Sequence, residues 1–329
     1  MSSFKAQPEV RSPQRVGTQL FLSVVIPAYN EKENLPKTLG EIETAIGQCD
    51  SVREYEVLIV DDHSSDSTFD FIRAFDNPKI QAIRLSRRSG SHTAIRAGMA
   101  CARGDAILFI SADGQEDPRL LGAMLEKLER GAHVVWGMRK QRKEPFLARL
   151  FVWLAYKLIK ALAPSNISQI DLSNADFYLL SKRVLEAINR CSERNTSLFG
   201  LIPWLGFKQD FVEYERRPRR SGRSKWSFAG KFRFLIDWIA AFSGIPLKLI
   251  SILGVMTAAL GFCYAFFIVI YTLSGYAKPG WAETVILILV LGGAQMMMLG
   301  VIGEYLWRTL DETRQRPLYF IEDRTDERW

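Results

Sequence analysis

Between about residues 21 and 137, short apolar runs alternate with stretches of helical spacing. LSVVIP, YEVLIVDD, KIQAIRLS, DAILFIS and AHVVWG read as strands, several nearly continuous in apolar residues, as strands covered on both faces are. ENLPKTLGEIETAIG, DSTFDFIRAF, SHTAIRAGMACA and PRLLGAMLEKLER place apolar residues on one helical face. This alternation predicts an α/β domain with a mostly parallel sheet between helices. Such sheets bind ligands beyond the carboxyl ends of their strands, where VDDHSSDS and FISADGQEDP both lie.

The last third follows another pattern. Leu247 to Leu273 and Thr284 to Leu306 are long apolar runs, each exceeding the roughly twenty residues that span a bilayer. We read them as two transmembrane helices; a buried hairpin in a soluble core is the alternative. The link SGYAKPGW carries one lysine, whereas Arg216 to Arg223, Lys231, Arg308, Arg314 and Arg316 flank the pair. The positive-inside bias then places both ends in the cytoplasm. FLARLFVWLAYKLIKALA and KFRFLIDWIAAF are basic, aromatic-rich and amphipathic, fit for a headgroup plane or for an ordinary core. The resulting division is a leader (1–20), a catalytic domain (21–228), a juxtamembrane helix (229–246), a membrane hairpin (247–307) and a cytoplasmic tail (308–329).

Composition narrows the options. Of 329 residues, 48% are hydrophobic and 12% aromatic, which excludes a disordered or fibrous chain. Lysine and arginine exceed aspartate and glutamate by 43 to 36, and a basic excess suits nucleic acid, anionic lipid or phosphorylated substrates. Cys49, Cys101, Cys191 and Cys263 are far apart without a CxxC pair, which fits a reducing compartment. The polar N-terminal stretch lacks the apolar core of a signal peptide.

The first strand ends in VVIPAYNEKENL, without the GxGxxG turn of a dinucleotide site. VDDHSSDST, SRRSGSHTAIRAG, SADGQEDP and RSGRSKWS follow in order. Together these segments resemble glycosyltransferase family two. More narrowly they are similar to its polyisoprenyl-phosphate glycosyltransferases, the group of bactoprenol glucosyltransferases and dolichol-phosphate mannose synthase. The resemblance covers nearly the whole chain and implies a GT-A fold, Rossmann-like, acting on a nucleotide sugar, commonly UDP-linked.

The resemblance also implies a site. Pro27, Tyr29 and Glu31 would line the nucleotide pocket, with Asp61 and Asp62 reaching base or ribose. The serines and aspartates of DDHSSDS could equally cap a helix, with Ser65 or Asp66 as the cap. Asp113 and Gln115 match two ligand positions of a DxDxQ-like segment that holds Mg²⁺ or Mn²⁺ against the donor's phosphates. Ser111 stands where the first aspartate would, which implies a metal shell richer in water. Glu116 and Asp117 read as a solvated helix start before Pro118. Arg139 matches an arginine near the diphosphate, and Arg219 and Lys225 match a loop that closes on the phosphates. Arg216, Arg217 and Arg220 fit that loop or an anionic lipid surface. Asp176 aligns with an aspartate near the acceptor, as base, positioning group or helix cap.

The expected activity is inverting transfer of a hexose, glucose foremost, from a UDP-sugar to polyprenyl phosphate at the cytoplasmic face of the cell membrane. The expected partners are that donor, that acceptor and membrane lipid. Nucleic acid is not implied, and a homo-oligomer is compatible. One rival is a processive polysaccharide synthase, which calls for a QxxRW motif; the chain's RW, Arg328–Trp329, has Thr325 where Gln belongs. Another is a non-catalytic membrane scaffold with a degenerate transferase domain.

Overall fold

The computed structural model describes residues 19–75, 77–140, 174–191, 193, 197–217, 245–274 and 280–325. The first half alternates as its pattern predicts: β1 (Leu20–Ala28), α1 (Leu35–Gly47), β2 (Val52–Asp61), α2 (Thr68–Arg73), β3 (Ile80–Leu85), α3 (Ser91–Cys101) and β4 (Ala106–Phe109). A 3-10 turn at Pro118–Leu120 leads into α4 (Leu121–Glu129) and β5 (Val134–Arg139). Then come β6 (Ala175–Ser181), α5 (Lys182–Arg190), α6 (Leu198–Trp204) and β7 (Gln209–Tyr214). Two long helices, α7 (Ile245–Leu273) and α8 (Trp281–Thr313), precede a last strand, β8 (Ile321–Arg324).

The strands form one sheet in the order β7-β5-β6-β4-β1-β2-β3-β8. β1 pairs in parallel with β2 and β4, β2 with β3, and β5 with β7. β6 runs antiparallel to β4 and β5, and β8 antiparallel to β3. The fold is a GT-A-like α/β sandwich on a mostly parallel, mixed sheet. Val24, Val25, Ile26, Leu58, Ile59 and Val60 are fully buried at its centre, because helices cover both faces of these strands. α3 lies especially close: a Cβ on Gly98 would come within 2.5 Å of Val25 Cγ1 and 2.9 Å of Val60 Cγ2.

Register decides where chemistry can occur. Ala28 pairs with Asp61, and Val25 with Phe109, so β1, β2 and β4 end on one edge. Because β6 is reversed, its start lies on that same edge, where Ala175 pairs with Met138. Arg139 and Tyr214, paired at the ends of β5 and β7, join them. Six strands thus bring their ends to one side of the sheet.

The residues after α8 rejoin the sheet instead of trailing away. β8 covers β3: Ser86 N–H donates to Phe320 O, and Ala82 N–H to Thr325 Oγ1. Arg84 binds Glu322 at 3.0 Å and Arg73 lies 3.4 Å from Asp323. This strand was not evident from its pattern, since IEDR is short and half polar.

Among the described residues, one helical segment, Ile252–Tyr271 in α7, is long and apolar enough to cross a membrane. Its Val255, Leu260, Phe262 and Phe266 are exposed. The second expected span falls within α8, which is continuous helix across it and exposes Ile288, Met296, Met297 and Leu306. The two expected amphipathic segments lie outside the described residues.

Candidate active site

The loops after β1 and β2 are stitched together. Asn30, in the left-handed region at φ 54°, accepts from Ser65 N–H at 3.0 Å through Oδ1, while its own N–H donates to Ser64 Oγ. Asparagine tolerates that conformation better than most residues. Glu31 N–H donates to Thr68 Oγ1, and Asp66 Oδ1 accepts from Thr68 N–H at the start of α2. The N-cap of α2 is Ser67, so neither Ser65 nor Asp66 is the cap; Asp66 precedes it and holds the first helical N–H instead.

Asp61 and Asp62 part company. Asp61 is wholly buried, accepts from Ser64 N–H and lies 3.9 Å from Arg84. It therefore braces the loop and does not line the cavity, contrary to the expectation that it reaches base or ribose. Asp62 does line the cavity. Its two oxygens accept from Ser89 N–H at 2.6 Å and Gly90 N–H at 2.8 Å. Gly90 sits at φ 92°, a conformation that glycine adopts without strain. Burial pushes the Asp62 carboxyl above the usual carboxylate range, opposed by those two amides and by Arg88. The bonds fix the β3–α3 loop and bring Arg88 over the ring of Tyr29, 4.1 Å from its centroid.

A cavity of about 590 Å³ opens at this edge. Pro27, Tyr29, Glu31, Asp62, Asp113 and Asp176 line it together. So do Ser111, at the expected first ligand position, and Arg88, His92 and Phe199, which the sequence motifs did not single out. His92 is packed edge-on against Phe199, and burial pushes its pKa down to about 4. It is neutral near pH 7.

The loop after β4 carries the acidic cluster. Thr38 Oγ1 donates to Ala112 O and ties this loop to α1. Ser111 Oγ is 2.8 Å from Asp113 Oδ1 and bonded to Glu116 Oε2. Glu116 is not the solvated helix start that its position suggests: it is 4% exposed. Burial, with Asp113 and then Asp176 nearby, pushes its pKa up to about 7. Asp117 fills the helix-start role, accepting from Arg119 N–H and pairing with Arg217 at 2.9 Å. No three carboxylate, imidazole or thiol groups among the described residues form a metal-binding set by themselves. Asp113, Gln115 and Glu116 nevertheless offer hard oxygen donors, the type magnesium takes when phosphates and water complete its shell. The donor set fits a phosphate-bound Mg²⁺ or Mn²⁺.

Asp176 sits at the start of β6 as a hub. Its Oδ2 accepts from Tyr214 OH at 2.5 Å and lies 2.6 Å from Arg139 Nε. Arg216 approaches Oδ1 at 3.9 Å and donates to Gln115 Oε1 at 2.5 Å. Asp176 is engaged across strands and caps no helix. Burial and the adjacent Asp176 carboxylate raise the pKa of Tyr214, which stays a phenol. Arg216 and Arg217 thus reach protein carboxylates and Gln115. Arg139 meets the site through Asp176; Arg219, Arg220 and Lys225 lie outside the described residues.

Strand-end carboxylates around this cavity, on a GT-A-like sheet, fit a glycosyltransferase architecture. The chain belongs to glycosyl transferase family 2, whose profile matches residues 23–178. It is a glycosyltransferase. It is 35% identical over 306 residues to an uncharacterized glycosyltransferase of Synechocystis sp., covering 92% of this chain and 95% of that protein. It is 32% identical over 310 residues to a bactoprenol glucosyl transferase of Shigella phage SfX, covering 92% and 99%. Among solved structures, a Mycobacterium tuberculosis glucosyl-3-phosphoglycerate synthase with Mn²⁺, UDP and phosphoglyceric acid aligns at TM-score 0.50. That alignment, at 19% identity, covers 67% of this chain and 78% of that one, and shows the shared fold alone.

Proposed function

We propose that this enzyme transfers glucose from UDP-glucose to polyprenyl phosphate, with inversion, at the cytoplasmic face of the cell membrane. The observation that carries the reading is the full-length likeness to a bactoprenol glucosyl transferase, in a chain that joins the strand-end cavity to a long apolar helix. Tyr29, Arg88 and Asp62 would bind the nucleoside, with Pro27 and Glu31 shaping the pocket. Asp113 and Gln115 would hold Mg²⁺ or Mn²⁺, which offsets charge on the diphosphate as it departs. The protein's own share is positioning and electrostatic stabilisation. Asp176, held by Arg139 and Tyr214, would orient the acceptor side, and Arg219 and Lys225 would meet phosphate oxygens.

Chain path supports the membrane placement. β8 follows α8 and lies in the same sheet as β1, so an even number of crossings separates β7 from β8. If α7 spans the bilayer, α8 returns. A hairpin with the catalytic domain and both termini on one side satisfies this. The test is transfer of radiolabelled glucose from UDP-glucose into organic-extractable lipid by purified enzyme supplied with polyprenyl phosphate. Label appearing only in a polymer would favour the processive synthase, and no transfer with any UDP-hexose would favour the scaffold.

A further inference from the structure

The position of Ser111 leaves a question of charge. A serine there removes one carboxylate from the loop that faces the donor's diphosphate. Five residues later the chain restores one in the same place: Glu116 turns inward, 4% exposed, and its Oε2 meets the same Ser111 hydroxyl that contacts Asp113 Oδ1. A serine hydroxyl has one proton, so it can donate to only one of the two carboxylates at a time. Two carboxyl groups thus converge on a single hydroxyl. The neighbouring Asp117 behaves differently, facing Arg119 and Arg217. The turn before Pro118 separates the two: one acid caps it from outside, the other turns inward onto Ser111, which lines the cavity.

The geometry points to Glu116 as the second carboxylate of the metal site, supplying the charge that Ser111 does not. This rests on the reading that a divalent cation bridges the donor's phosphates. Asp113, Glu116 and the Gln115 amide then form the protein's share of an oxygen shell, and phosphates and water supply the remainder. Ser111 is a positioning residue that holds the two carboxylates together.

The test uses full-length enzyme in detergent, with Mn²⁺ binding followed by electron paramagnetic resonance in saturating UDP. Glu116→Gln, which keeps the shape, should weaken Mn²⁺ by tenfold or more while metal-free UDP binding is retained. The double variant Ser111→Asp, Glu116→Gln moves the carboxylate without deleting it and should return Mn²⁺ affinity to within about threefold of wild type. It serves equally if Glu116→Gln alone fails to fold. Unchanged Mn²⁺ affinity in Glu116→Gln, or a double variant that stays tenfold weak, overturns the assignment of Glu116. A wild-type enzyme that binds no Mn²⁺ with UDP overturns the metal reading itself, and this assignment with it.

Discussion

Asp176→Asn separates two accounts of catalysis. The carboxylate and Arg139 form a 2.6 Å ion pair with side chains only 9% and 13% exposed. The amide can still accept from Tyr214 OH but cannot neutralise Arg139. Breaking a buried pair from one side costs about 3–5 kcal/mol, because the surviving charge stays desolvated. Arg216, 3.9 Å away, adds to the positive excess. We therefore expect Asp176→Asn to lower unfolding stability by about 3 kcal/mol. Arg139→Met with Asp176→Asn should recover part of that loss, with a coupling on the order of 2 kcal/mol.

Activity discriminates further. Loss of a general base would cost on the order of a hundredfold or more, and higher pH would repair it by ionising the acceptor. A phosphomonoester with a second pKa of about 6 is already mostly a dianion at neutral pH. Asp176 Oδ2 also accepts from Tyr214 OH and is ion-paired with Arg139. A positioning role predicts a rate deficit that runs parallel to wild type from pH 6 to pH 8, measured with saturating acceptor. A variant that closes most of the gap across that range would refute the positioning argument, and wild-type rates throughout would remove Asp176 from the site.

Four further outcomes follow from the same structure. Asp113→Ala should abolish transfer while the protein remains folded, and chelation should do so reversibly on restoring Mg²⁺ or Mn²⁺; full activity in excess chelator would remove the metal. Arg216→Ala should reduce turnover well beyond Arg220→Ala, because Arg216 touches Gln115 and Asp176; equal small effects would return it to a lipid-facing role. Ending the chain at Arg316 should lower the melting temperature by several degrees and promote aggregation through the bared β3 edge, whereas Glu322→Ala, a half-exposed partner, should cost under about 1 kcal/mol. His92 binds its proton more weakly when folded, so its contribution is complete above about pH 6.5 and lost as pH falls towards 4. That is worth about 3 kcal/mol, and His92→Phe should flatten stability over that window when followed by denaturant titration.

The sequence was informative wherever one strand end carried its own polar motif. Pro27, Tyr29, Glu31, Asp62 and Asp113 all reach the cavity, because a nearly continuous apolar strand can end its burial only at the sheet edge. Asp61 and Asp62 could not be told apart, since Asp61 ends β2 and Asp62 opens the loop after it, and only the folded turn says which faces the cavity. Glu116 was misread because two acids before a proline look alike in sequence, and only the turn assigns one inward. Tyr214 had no local signal, and Arg216 read only as one of a basic cluster. They enter through the pairing of β7 with β5, a contact between segments more than seventy residues apart.

The same sheet connects the site with the proposed membrane helices at both of its ends. On one side β7 ends at Tyr214, and the next residues place Arg216 on Gln115 and Arg217 on Asp117 and Glu41. The chain leading towards α7 is therefore fastened to the acidic loop before it departs. On the other side α8 returns through β8 to β3, where Glu322 shares Arg84 with Asp61. Asp61 in turn holds the loop that carries Asp62. Each fastening includes ion pairs that are partly buried, so salt should screen those less than fully exposed pairs. On the proposed function a water-soluble donor must meet a lipid-bound phosphate, and two separate attachments would constrain a tilt of cavity against bilayer that a single one would leave free.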